Sequence, residues 1–207
     1  DYLPSIINRN DKTKYSKTED LINYLNKESN INIVYPKDAL ISNKKISSTY
    51  YKYDTHWNNY GAFIGFKEIM SNINETYNNF ECTVSVSEEK LVEQDLSKMS
   101  GIKDVFKDKE ITVEFLPDVT YEQTVLETAT LIHITKNEEA PIDETLLIVG
   151  DSFRVAMIPY FSKIYSKVIY MHRCDYANYV LDAYAPDIIV CQFLERYANT
   201  IKDFNLY

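Results

Sequence analysis

The stretch Thr145-Leu-Leu-Ile-Val-Gly-Asp-Ser-Phe153 constrains the fold more than any other part of the chain. An apolar run stops at Gly150, a serine follows two residues later, and Arg154 to Ile164 has helical spacing. A serine at a strand-to-helix corner is lifted off the sheet edge, beside backbone N–H groups that can hold an oxyanion. Acyl chemistry needs its nucleophile in such a place.

The pattern repeats towards the C-terminus. Apolar runs at Leu146–Val149, Lys167–Met171 and Asp187–Phe193 alternate with helical spacing at Arg154–Ile164 and Ala177–Tyr184. Apolar strands separated by helices predict an α/β domain with a parallel sheet flanked by helices. Upstream, Thr18 to Lys27 reads as a helix, Ile31–Tyr35 as a strand ended by Pro36, and Ser48–Tyr53 as an extended segment. A further helix starts at Asn58 and places Tyr60, Phe63, Ile64, Lys67 and Met70 at helical intervals. Phe80–Val86, Ile111–Phe115 and Thr130–Thr135 alternate as half-exposed strands do, and Lys90–Val105 reads as loop or short helix. Residues 80–135 are therefore read as a small β-rich insertion within a single domain spanning 1–207. A chain of 207 residues is long enough for one such domain with a real core.

Composition removes several function classes. Acidic residues (31) outnumber basic ones (22), for a net charge of -9, which argues against nucleic acid as a partner. Only 4 glycines are present, and neither a P-loop nor a GxGxxG fingerprint occurs. Cys82, Cys174 and Cys191 form no CxxC pair, so no thiolate metal site is expected, and Cys191 reads as a small core residue of the last strand. No cofactor is called for. No run of about 18 apolar residues suggests a membrane span. The chain opens at Asp1 without a signal peptide, and is read as a soluble region whose anchor or export signal lies upstream.

Parallel sheets place ligands outside the carboxyl ends of their strands. Those ends carry Gly150-Asp151-Ser152, His172-Arg173 and Glu195-Arg196, so Arg154, Arg173 and Arg196 all fall on the serine's edge. They either meet substrate or pair with nearby acids such as Asp175 and Glu195. Serine needs a base to take its proton, and the chain has 3 histidines. His133 lies within an alternating strand and reads as structural. His172 shares the serine's edge. His56 has Asp54 two residues before it, and in an extended segment those side chains point the same way. Asp54 would then hold Nδ1–H and leave Nε2 for the serine, with Trp57 walling out water. Alternatively, Asp-Thr-His-Trp caps the helix that follows. By spacing alone, His56 and His172 both remain candidates.

Asp54-Thr-His-Trp57, then Asn59-Tyr-Gly-Ala62, then Gly150-Asp-Ser-Phe153 roughly a hundred residues on, resembles the alginate O-acetyltransferase-type SGNH-hydrolase-like family and the related DHHW proteins. Tyr170-Met-His-Arg-Cys-Asp175, Pro186-Asp-Ile-Ile-Val190 and Glu195-Arg196 resemble its later strands, and Leu3-Pro4 the tail of a first strand. The resemblance implies an SGNH-hydrolase-like, flavodoxin-like fold in which the Asp-x-His precedes the serine, an order permuted from ordinary SGNH esterases. It further implies a segment N-terminal to Asp1, Ser152 as nucleophile, His56 as base and Asp54 as its orienter. Glycine and asparagine blocks that supply oxyanion donors in ordinary SGNH enzymes are not found. The Ser152 N–H, Arg154 and Arg173 are the candidates for that role, with Asp151 and Trp57 beside them.

The function implied is an O-acetyltransferase acting outside the cytoplasmic membrane on a polysaccharide, supplied with acetyl groups by a membrane-bound O-acyltransferase. A carbohydrate esterase or deacetylase with the same residues is the alternative within enzymes. A non-catalytic polysaccharide-binding protein is the alternative outside them.

Overall fold

A computed structural model describes residues 17–74, 76–77, 79–91, 94–101, 105–126, 130–177 and 179–197. Leu3-Pro4 lies outside the described residues. The N-terminal elements are helices α1 (Lys17–Glu28), α2 (Lys37–Asn43) and α3 (Asn59–Ile73). The middle of the chain holds β1 (Cys82–Val86), β2 (Lys90–Leu91), α4 (Asp95–Met99), β3 (Lys107–Asp108), β4 (Ile111–Phe115), β5 (Glu122–Leu126) and β6 (Ile132–Lys136). It closes with β7 (Ile142–Gly150), a 3-10 turn (Ser152–Met157), α5 (Ile158–Ile164), β8 (Tyr165–His172), α6 (Tyr179–Tyr184) and β9 (Ile188–Gln192).

The main sheet has five strands in the order β5-β6-β8-β7-β9. β7 runs parallel to both β8 and β9, as the alternation of strand and helix requires. β6 pairs antiparallel with β8, and β5 antiparallel with β6, so the sheet is mixed rather than wholly parallel. The block read as one insertion therefore divides. β1–β4 and β2–β3 form separate antiparallel ribbons, while β5 and β6 extend the main sheet. Alternation reports a half-covered strand and carries no address for its partner, so the sequence pattern could not assign it.

Leu146, Leu147, Ile148 and Val149 are all fully buried because both sheet faces are covered. Leu146, Ile148, Val168 and Tyr170 face a large core with Phe63 and Phe66 of α3 and Phe161 of α5. Leu147, Val149, Ile169 and Met171 face a smaller one closed by Val180 of α6. Full burial of each such side chain contributes about 1.5–3 kcal/mol. The β1–β4 ribbon packs through Phe115, whose ring lies 5.5 Å from Phe63 and 5.6 Å from Tyr160.

Other local readings differ from the structure. Ile31–Tyr35 forms no strand, because among the described residues no neighbouring strand supplies the ladder bonds that a β segment needs. Cys191 is exposed, not core: β9 is an edge strand, and its alternate positions Ile189 and Cys191 are exposed. Among the described residues, no helix is long and apolar enough to cross a membrane.

α3 sets the position of the site. Asn58 caps it, its side chain accepting from Gly61 N at 3.0 Å. A Cβ on Gly61 would stand 2.0 Å from the Thr49 carbonyl oxygen, so glycine lets the helix meet the chain just before the Asp-Thr-His-Trp segment. Gly150 meets a similar demand at the end of β7, where a Cβ would lie 2.6 Å from the Gln192 carbonyl oxygen of β9.

Candidate active site

β7 ends at Gly150, and the chain turns at once into the 3-10 turn that opens on Ser152. Asp151 shapes that corner. Its Oδ1 accepts from Phe153 N at 3.0 Å as a cap, and its Oδ2 accepts from Leu194 N at 2.7 Å, tying the corner to the segment after β9. Asp151 is buried, and Ser152 beside it is exposed.

The second half of the site is the loop before α3. Tyr50 and Trp57 form an isolated antiparallel bridge, and residues between them bend rather than extend. Asp54 and His56 therefore meet through a turn: Asp54 Oδ1 accepts from His56 N at 2.9 Å and stands 2.6 Å from His56 Nδ1. This is the Asx-turn habit of aspartate, not the same-face geometry of a strand. Asn58, not the Asp54–His56 pair, caps α3.

Ser152 Oγ lies 2.6 Å from His56 Nε2. The order Asp54–Nδ1–Nε2–Ser152 is the one that nucleophilic catalysis by serine requires. Burial acts to raise the pKa of Asp54, but the N–H and ring of His56 and the N–H of Asp95 outweigh it, and the carboxyl lies below the ordinary carboxylate value. Phe153 packs on the imidazole with ring centroids 4.8 Å apart. Trp57 is buried, and its indole N–H donates to the Phe153 carbonyl at 3.0 Å. It thus braces the two motifs against each other.

His172, the other candidate base, caps a different turn. Its Nδ1 accepts from Cys174 N at 3.3 Å, and its pKa is lowered by burial and by the positive charges of Arg154 and Arg173. His133 Nδ1 pairs with Gln123 Nε2 across β5–β6 at 2.9 Å, as a structural residue would.

Arg154 is 2% exposed. Its Nη1 donates to the Asp151 carbonyl at 2.9 Å and its Nη2 to Leu131 O at 3.3 Å. It secures the serine corner from within, because carbonyls at the buried end of a strand need donors. The guanidinium groups of Arg173 and Arg196 both lie over the Tyr197 ring, 4.9 Å and 5.1 Å from its centre. A cleft of about 400 Å³ beside the serine is lined by Tyr50, Thr55, Phe153, Leu194, Glu195 and Arg196.

Asp95 was not foreseen. It opens α4, and its Oδ1 accepts from Thr55 N at 2.8 Å while its Oδ2 accepts from Thr55 Oγ1. Its N–H donates to Asp54 Oδ2 at 3.2 Å. The only local trace is Gln94-Asp-Leu-Ser97, where Gln94 N donates to Ser97 Oγ as at a helix start. Asp54, His56 and Asp95 bring three metal-capable ligand atoms within 4.8 Å of one another. Their carboxylate oxygens already accept hydrogen bonds from the main-chain N–H groups of His56, Asp95 and Thr55.

The fold and site define an α/β protein with a Ser–His–Asp line at the carboxyl edge of its sheet. The same fold occurs in a DHHW family protein of Eubacterium siraeum, with a TM-score of 0.68 at 12% identity over 97% of this chain and 78% of that one. PatB1 of Bacillus cereus gives 0.64 at 13% identity over 88% and 76%, and it has also been solved with a sulfonyl adduct. The O-acetyltransferase domain of Pseudomonas putida AlgJ gives 0.50 at 13% identity over 94% and 73%. No protein-family profile and no curated protein matches the chain.

Proposed function

We propose that the protein is a serine O-acetyltransferase of the SGNH-hydrolase-like type with permuted motif order, acting on hydroxyls of an extracellular or cell-wall polysaccharide. The observation that carries this is the continuous line from Asp54 through His56 to Ser152, with 2.6 Å at each hydrogen bond. The fold shared with the O-acetyltransferase domain of AlgJ supports it.

In the first half-reaction Ser152 Oγ attacks the acetyl carbonyl while His56 Nε2 takes its proton. Asp54 holds Nδ1–H and stabilises the imidazolium. The oxyanion is assigned to the Ser152 N–H at the start of the 3-10 turn. Collapse of the tetrahedral intermediate transfers the proton from Nε2 to the leaving group and leaves acetyl-serine. In the second half-reaction a sugar hydroxyl gives its proton to Nε2, attacks the acetyl-serine, and releases Ser152. Tyr50 and Phe153, with Thr55, Glu195 and Arg196 around them, offer the cleft a stacking and polar lining suited to a sugar. In this reading the acetyl source is a membrane-bound O-acyltransferase, and the site works outside the cytoplasmic membrane.

An acetylesterase is the second reading. Ser152 is exposed, so water has a path to the acetyl-serine.

The test is p-nitrophenol release from p-nitrophenyl acetate by wild type, Ser152→Ala and His56→Ala, with mass spectrometry for an acetyl group on Ser152. Loss in both variants and an adduct on Ser152 is the expected result. Background turnover in all three would overturn the reading. Adding an acceptor glycan then separates the two enzymes, because only a transferase yields acetylated glycan.

A further inference from the structure

Two carboxylates, not one, address the imidazole. Asp54 takes Nδ1 at 2.6 Å, and Asp95 Oδ2 lies 3.8 Å from the same nitrogen. Asp95 comes from α4, 41 positions from Asp54 in sequence, and its own N–H donates to Asp54 Oδ2. Both of its oxygens accept from Thr55, the residue between Asp54 and His56. α4 grips the same loop on the other side, where Leu96 N donates to Tyr53 O at 3.1 Å and Tyr53 N donates to Gln94 Oε1 at 3.2 Å. The loop that carries the base is therefore fixed from outside by a short helix whose first side chain is negative.

We propose that Asp95 is a positioning residue for the base, holding the His56 loop through Thr55 and adding a second negative charge beside the imidazolium that forms when Ser152 loses its proton. The inference rests on Ser152 acting as the nucleophile. Asp95 touches neither the serine nor the substrate. It acts through His56, because a negative charge 3.8 Å from Nδ1 stabilises the positive charge that develops on the ring in the transition state. The groups that face His56 are Asp54 from its own loop, Asp95 from α4, and Ser152 and Phe153 from the 3-10 turn. Glu195 and Arg196 line the same cleft.

The experiment measures kcat and KM for acetyl-serine formation from p-nitrophenyl acetate with wild type, Asp95→Asn and Asp95→Glu, with Ser152→Ala as background and thermal melting as a check of folding. Asp95→Asn is expected to lower kcat about ten-fold with KM little changed. Asp95→Glu keeps the charge and is expected to recover most of that loss. An Asp95→Asn kcat that matches wild type overturns the proposal. So does an equal loss in both variants, which would make Asp95 a fold contact only. Wild type indistinguishable from Ser152→Ala would instead remove the nucleophile on which the inference rests.

Discussion

The indole N–H of Trp57 donates to the main-chain carbonyl of Phe153 at 3.0 Å, across 96 positions of sequence. This bond joins the loop that carries His56 to the turn that carries Ser152. It holds His56 and Ser152 in register through two residues outside the Asp54–His56–Ser152 line.

Trp57→Phe keeps a ring in the site and removes the donor. The buried Phe153 carbonyl then loses its partner, a cost of about 1–3 kcal/mol. A melting temperature lower by about 2–10 °C is expected. Ester turnover should fall on the order of ten-fold or more, since small misplacement of a reacting pair is costly. An unchanged kcat would show that the brace is dispensable.

Asp54→Asn leaves the geometry and removes the charge that orients Nδ1–H. A loss on the order of 10²–10⁴ in kcat is expected, with KM little changed. Steady-state ester hydrolysis measures it. A loss confined to KM would place Asp54 in binding instead.

Asp151→Ala removes the acceptor for both Phe153 N and Leu194 N. One buried and one part-buried donor are left without partners at the serine corner, for about 2–4 kcal/mol. Denaturant unfolding should show a lower midpoint at unchanged slope. Asp151→Asn keeps one acceptor oxygen and should recover part of the loss.

Gly61→Ala drives a Cβ against the Thr49 carbonyl, where 2.0 Å is available. The obstacle is backbone, so α3 must move away and carry the His56 loop with it. Stability and turnover are expected to fall together, read by melting and by p-nitrophenol release.

Acid should weaken the fold before it reaches the carboxylates. His133 and His172 have pKa values lowered from the ordinary 6.5, in both cases first by burial and then by Arg154, with Arg173 acting on His172 as well. The unfolded chain therefore binds protons more readily, and stability rises with pH. Their contribution is complete above about 6.5 and is lost as pH falls through the lower folded values. Asp54 acts in the same direction further down, below its ordinary 3.8. Melting temperature should thus drop as pH is lowered from 7 towards 5. His172→Gln, which cannot titrate, should flatten that drop.

Much of this protein can be read one residue type at a time. The apolar run Leu146–Val149 marks a strand covered on both faces, and Ser152 follows where the strand must turn. Arg154 shows the limit of such reading. Its place on the serine's edge suggested a substrate contact, yet its guanidinium is spent on two main-chain carbonyls inside the corner. Sequence places a cation near an edge, but which way it turns depends on which carbonyls the fold leaves without donors.

The chain by itself determined the strand–turn–helix units, the helix that starts near Asn58 and the residue types of a Ser–His–Asp line, because these follow from local periodicity and from chemistry within a few residues. The tertiary structure decided that His56 rather than His172 meets Ser152, that β5 and β6 join the main sheet, and that Asp95 stands beside His56. Each of these depends on packing between segments distant in sequence. Local pattern records only that a face is apolar or a side chain polar, and says nothing of the partner that will satisfy it.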